Sequence, residues 1–131
     1  MEKIAQACLI EDDPVHIFLS TKYLKLSGMV ENITVFNNGK EAFDKLKILL
    51  DSGEYMPEVI LLDLNMPVWD GWKFLENFST LQLKKKVTIF ILTSSINAAD
   101  RKRAETYEKV QNFIVKPISL DDFKELLKNV K

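Results

Sequence analysis

Five short apolar runs, each followed by a stretch with helical spacing, constrain this chain more than any other feature of its sequence. The runs occupy residues 5–10, 33–36, 59–62, 89–92 and 113–115, rich in Ile, Val, Leu and Phe and mostly without polar alternation. A strand with one wet face alternates in polarity, whereas one covered on both faces does not, so these runs read as strands of a buried parallel sheet. Residues 14–26, 40–50, 72–78, 98–108 and 120–130 place apolar side chains at helical intervals. Parallel neighbours require crossovers and crossovers are right-handed, so this alternation predicts an α/β sheet with helices on both faces.

Punctuation between the elements agrees. Asp13-Pro14 reads as an N-cap followed by proline at the first helical position, and Ser27-Gly28 as the matching stop. Asn38-Gly39, Asp70-Gly71 and the cluster at 51–53 ahead of Pro57 mark turns. Ser119 followed by Asp121 and Asp122 sets a hydroxyl cap and two carboxylates at the positive end of the last helix. No linker or repeat interrupts the pattern, so residues 1–131 are expected to form a single domain with no attached output domain.

Composition narrows the function classes. A formal net charge of -1 gives no electrostatic case for nucleic acid. Lys84-Lys85-Lys86 and Arg101-Lys102-Arg103 are short enough to read as solvated helix ends and faces. Cys8 is the one cysteine, which rules out an internal disulfide and a paired-cysteine zinc cage, and its apolar surroundings make it a small core residue. No apolar stretch approaches the roughly 20 residues that span a bilayer, and no signal peptide is evident, so a cytoplasmic protein is expected.

In open α/β sheets the ligand crevice lies beyond the carboxyl ends of the strands. Here those ends carry Glu11-Asp12-Asp13, Asp63, Thr93-Ser94-Ser95 and Lys116-Pro117. Carboxylates gathered at one edge repel one another, and a hard cation relieves that repulsion. Magnesium suits such a set, taking oxygen ligands, several waters and a phosphate oxygen. No calcium-loop ladder is present. His16, the one histidine, falls in the first helical turn and is expected to be a surface or partly buried structural residue. With a metal neutralising the site, one carboxylate becomes a nucleophile toward phosphorus, Lys116 a fixed positive charge and Thr93 a hydroxyl donor.

The segments Leu9-Ile10-Glu11-Asp12-Asp13-Pro14, Leu61-Leu62-Asp63-Leu64-Asn65-Met66-Pro67 with Gly71, Leu92-Thr93-Ser94 and Val115-Lys116-Pro117 resemble, in this order and spacing, the receiver domain of response regulators. The resemblance spans essentially the whole chain. It implies a flavodoxin-like doubly wound (βα)5 fold with a five-stranded parallel sheet in the order 2-1-3-4-5. It further implies that Asp63 is the phosphoacceptor and Asp12 a direct ligand of Mg2+, for which Mn2+ substitutes. Glu11 would act on the metal through water and Asn65 through its backbone carbonyl. Thr93 would meet the phosphoryl oxygen, Lys116 would pair with the acceptor and its phosphate, and the Lys116–Pro117 peptide would be cis. Phe113 stands where receivers place an aromatic switch residue. The implied partners are a histidine kinase or histidine phosphotransfer protein and a downstream protein target. That target would meet the face from residue 98 to 115 together with the last helix, on a monomer or weak dimer. Catalysis would be limited to the receiver's own acylation and hydrolysis.

Several readings stay open on sequence alone. Asp13 fits a helix cap better than a metal ligand, yet three consecutive acids allow the acidic pair to slip by one. Phe113 reads equally as core. Trp72 reads as packing for the third helix, and Trp69 as an exposed aromatic available to a partner. Among rivals, an aspartate-nucleophile hydrolase of the haloacid-dehalogenase kind needs a second acid where Asn65 stands, and a flavin or nucleotide module needs a glycine loop that four scattered glycines do not form. A receiver-like interaction module that is never phosphorylated is the alternative that survives, with intact Asp63, Thr93 and Lys116 counting against it.

Overall fold

The computed structural model describes residues 3–130. Its elements are β1 (Ile4–Ile10), α1 (Pro14–Ser27), β2 (Val30–Phe36), α2 (Gly39–Asp51), β3 (Val59–Leu62), α3 (Gly71–Phe78), β4 (Thr88–Thr93), α4 (Ala98–Glu105), β5 (Val110–Val115) and α5 (Leu120–Lys128). The strands are parallel and ordered β2-β1-β3-β4-β5, as expected. Strand residues alternate between two cores. Cys8, Ile10, Ile60, Leu62, Ile89 and Ile91 face α2, α3 and α4 through Leu46, Phe74, Phe78 and Ala104. Ala7, Leu9, Val59, Leu61, Phe90 and Leu92 face α1 and α5 through Leu24, Phe123 and Leu127. Cys8 is buried, which pushes its thiol well above its ordinary pKa and leaves it a small apolar filler.

Differences from the sequence reading fall at the sheet edges and at helix ends. β2 and β5 each begin three residues earlier than their apolar cores, running through Glu31-Asn32 and Gln111-Asn112. Both are edge strands, so polar side chains there meet water rather than a covering helix. α4 stops at Glu105 rather than 108, because Thr106 caps it and the Tyr107 ring stacks on Trp72, 6.4 Å between centroids. α5 stops at Lys128, with Asn129 as its cap. Caps elsewhere follow expectation: Asp13 opens α1, Gly28 closes it at φ 69, and Ser119 and Asp122 form a reciprocal capping box on α5. Asn38 and Asp70, read as turn residues, are the N-caps of α2 and α3. Among the described residues no helix is long and apolar enough to cross a membrane.

Candidate functional site

Sheet order brings the ends of β1, β3, β4 and β5 side by side. Glu11 and Asp63 continue the ladders of their strands, Glu11 N–H donating to Phe36 O at 2.9 Å and Asp63 N–H to Ile10 O at 3.0 Å. Both carboxylates are thereby held on rigid backbone and nearly closed off, at 2% and 7% exposure, while Asp12 beside them faces solvent. One oxygen from each of Glu11, Asp12 and Asp63 lies within 4.8 Å of the others. Asp13 is turned away, its Oδ1 accepting from Val15 N–H at 2.8 Å and His16 N–H at 3.3 Å, and these two bonds hold its carboxyl below the usual range. Asp13 therefore caps α1 and the acidic group is Glu11, Asp12 and Asp63.

Lys116 enters from β5, where its N–H donates to Thr93 O at 2.8 Å and its peptide to Pro117 is cis. Its ammonium, 11% exposed, contacts Glu11 Oε1, lies 2.9 Å from His16 Nδ1 and stands 3.6 Å from Asp63 Oδ1. The other Glu11 oxygen accepts from the Asp12 and Asp13 N–H groups at 3.1 and 3.3 Å. Asp63 meets the Lys116 ammonium only at ion-pair distance and has the Leu64 N–H as a further partner. Its burial, and then the Glu11 carboxylate beside it, push its pKa up to about 7, against the pull of Lys116 and of the Leu64 N–H.

His16 is the residue that sequence reasoning undervalued. It is partly buried, as expected, but its Nδ1 also stands 3.5 Å from Glu11 Oε1, inside the charged group. The signal was available: Asp13-Pro14 starts the helix, and first-turn side chains lean back toward the helix amino end, here the sheet edge.

Asn65, Thr93 and Phe113 occupy three different settings. Asn65 is exposed in the loop after β3. Thr93 is fully buried, its Oγ1 accepting from Ser95 N–H at 3.1 Å. The Ser95 hydroxyl in turn donates to Asp100 Oδ2 at 2.7 Å and accepts from Asn97 N–H at 3.2 Å, tying the β4–α4 loop to α4. Phe113 is buried in the α4 side of the core, with the Arg101 guanidinium 5.1 Å from its ring centre.

The loop after Asp63 is pinned by glycine at two close approaches. A Cβ on Gly71 would lie 2.6 Å from Asp63 O, and one on Gly39 would lie 2.9 Å from Trp69 O. Trp69 is accordingly not a free exposed aromatic. It is half-buried, its ring 5.5 Å from Phe43, with the ammonium groups of Lys40 and Lys73 at 5.3 and 5.7 Å. Trp72 packs α3 toward α4, as its stacking on Tyr107 and the Arg103 guanidinium 4.3 Å from its ring require. Val68, exposed in the same loop, takes φ 68, a conformation that strains a β-branched residue.

An all-oxygen group with one solvent-facing member fits a hard divalent cation that keeps part of its water shell. The family model described as the response regulator receiver domain matches residues 7–128. The probable methanogenesis regulatory protein FilR2 of Methanothrix harundinacea is 28% identical over 123 residues, covering 94% of this chain and 79% of that protein. The osmosensing histidine protein kinase SLN1 of Saccharomyces cerevisiae is 32% identical over 129 residues, 96% of this chain but 10% of the kinase. The crystal structure of a two-component response regulator from Cytophaga hutchinsonii superposes with a TM-score of 0.86 at 30% identity, covering 98% of each chain. With the strand-end residues gathered at one edge and a match running from β1 through α5, the chain belongs to the response regulator receiver domain family.

Proposed function

We propose that this chain is the phosphorylatable receiver of a two-component or phosphorelay system, taking a phosphoryl group onto Asp63 from a histidine kinase or histidine phosphotransfer protein in the cytoplasm. The observation that carries the reading is the convergence of Glu11, Asp12 and Asp63 within 4.8 Å, with the Lys116 ammonium 3.6 Å from the acceptor. Asp12, Asp63 and the Asn65 carbonyl would hold Mg2+ or Mn2+ directly, and Glu11 through water. Such a cation offsets the carboxylate repulsion and stabilises charge on the transferring oxygens when bound.

An Asp63 oxygen attacks phosphorus while the bond from phosphorus to the donor's imidazole nitrogen breaks, its electron pair returning to that nitrogen. Lys116 then pairs with the new phosphoryl oxygens. The Thr93 hydroxyl leaves its bond to Ser95 to meet another. Phe113, packed under Arg101, follows the space that Thr93 vacates, so the change reaches α4, β5 and α5, the face offered to the downstream protein. Exposed apolar side chains on segments that begin at these strand ends, Val15 and Phe18 on α1, Val68 after β3 and Ile96 after β4, suit a protein donor rather than a small molecule. Turnover is limited to self-catalysed acceptance and hydrolysis.

Intact mass after incubation with acetyl phosphate and Mg2+ tests the reading. One phosphoryl adduct is expected, lost in Asp63→Asn and lost with chelator. A folded protein that takes no adduct would instead be the phosphorylation-independent interaction module.

A further inference from the structure

We propose that His16 is a positioning residue for Lys116, holding its ammonium in hydrogen-bond contact with Glu11 and at the longer ion-pair distance from Asp63 until a cation site claims Glu11. The inference rests on the phosphoacceptor reading for its purpose, but not for its test. Lys116 is nearly buried and must place its three N–H groups among few acceptors. Glu11 Oε1 takes one and His16 Nδ1, at 2.9 Å, another. Asp63 Oδ1, at 3.6 Å, is beyond hydrogen-bond reach. An ammonium has no acceptor, so Nδ1 must be the bare nitrogen and the ring proton must sit on Nε2. His16 is itself fixed, because Asp13 takes its backbone N–H. A run of contacts therefore leads from the helix cap through the imidazole to the lysine that the acceptor needs.

Two consequences follow from an acceptor at this position. Glu11 is engaged by the same ammonium that His16 steadies, so cation binding competes with the Lys116–Glu11 pair and His16 weakens it. Once Glu11 is claimed, Lys116 loses its first partner and Asp63 becomes its natural one. Metal loading would then tighten the Lys116–Asp63 ion pair from its 3.6 Å.

Mn2+ affinity, read by electron paramagnetic resonance without any phosphodonor, separates positioning from packing. His16→Leu removes the acceptor and should bind Mn2+ about three- to tenfold more tightly, the scale of one partly solvated hydrogen bond to a charged group. His16→Asn keeps an acceptor at the Nδ1 position and should restore most of the wild-type affinity. In a Lys116→Met background His16→Leu should add nothing, because the residue acts through the lysine. Unchanged affinity in His16→Leu, an Asn variant indistinguishable from Leu, or an additive effect in the Lys116→Met background would each overturn the proposal. None of these readouts depends on phosphorylation, so a wild-type protein that takes no phosphoryl adduct would sink the phosphoacceptor reading while leaving this result standing.

Discussion

At the carboxyl edge of the sheet, charged side chains share a space too small for their charges. At the amino edge, a hollow is lined by groups already satisfied or in water. That hollow, about 760 Å3, lies between residues 50–58 and 83–88 and has a floor that includes Leu50, Met56, Pro57, Leu83 and Val87. Its Glu58 carboxylate accepts the Ala5 N–H at 2.7 Å, and Lys84, Lys85 and Lys86 on its rim are exposed. At the carboxyl edge the nearly buried Asp63 has its pKa raised to about 7 and no ammonium within hydrogen-bond distance. Burial and like charge leave a group poised to gain from a ligand at the carboxyl edge, where the proposed chemistry falls.

The largest effect that sharpens this contrast concerns the backbone behind each edge. Gly71→Ala would press a methyl to 2.6 Å from Asp63 O and to 2.9 Å from the Leu64 Cα, so β3's end or α3's start must move. Roughly 2–3 kcal/mol of stability should be lost in urea unfolding, at the upper part of the range for overpacking. Gly53, beside the amino-edge hollow, has φ 74 and open space around its Cβ position. Gly53→Ala should cost only about 1 kcal/mol, the strain of a left-handed alanine. Equal losses would mean that the carboxyl edge is no more tightly built than the other.

This asymmetry also explains what could be read from sequence. β1, β3 and β4 are covered on both faces, so their apolar runs located them and their order placed Glu11, Asp63 and Thr93 at one edge. Edge strands answer to water on one side, and the polar starts of β2 and β5 therefore carried no signal. The resemblance named Asp63 and Lys116, yet the contact between His16 and Lys116 spans 100 positions and depends on how α1 enters over β1. Trp69 looked free because Lys40, Phe43 and Lys73, which surround it, come from two other helices. What local pattern cannot encode is the company a side chain keeps across elements.

A smaller effect tests the charge directly. A carboxyl whose folded pKa is raised to about 7 binds its proton more firmly when folded than when unfolded, where it titrates near its ordinary 3.8. Its contribution favours folding below the unfolded value and is lost as pH rises toward 7. Asp63→Asn should therefore stabilise the metal-free protein at pH 8 by roughly 1–2 kcal/mol, discounted from the full shift because water still reaches the carboxyl. The advantage should shrink as pH falls and vanish near pH 4. Added Mg2+ should stabilise wild type at pH 8 and leave Asp63→Asn unmoved, and chelation should reverse it. A pH-independent difference between the two proteins would show that burial and the Glu11 carboxylate do not raise the Asp63 pKa.

The smallest effect is expected at the amino edge. Tyr55 is 86% exposed and its only ring neighbour among the described residues is the Lys85 ammonium, 5.8 Å from its centre. An exposed cation–π pair of this kind is weak and solvated, so Tyr55→Ala should change stability by no more than about 0.5 kcal/mol. The rate of adduct formation from acetyl phosphate should be unchanged, since the side chain lies at the opposite end of the strands from Asp63. A slower rate in a protein of unaltered stability would mean that the amino edge biases the acceptor through β3, whose four residues are all buried and link the two ends. The separation of a quiet edge from a reactive one would then give way to a single coupled sheet.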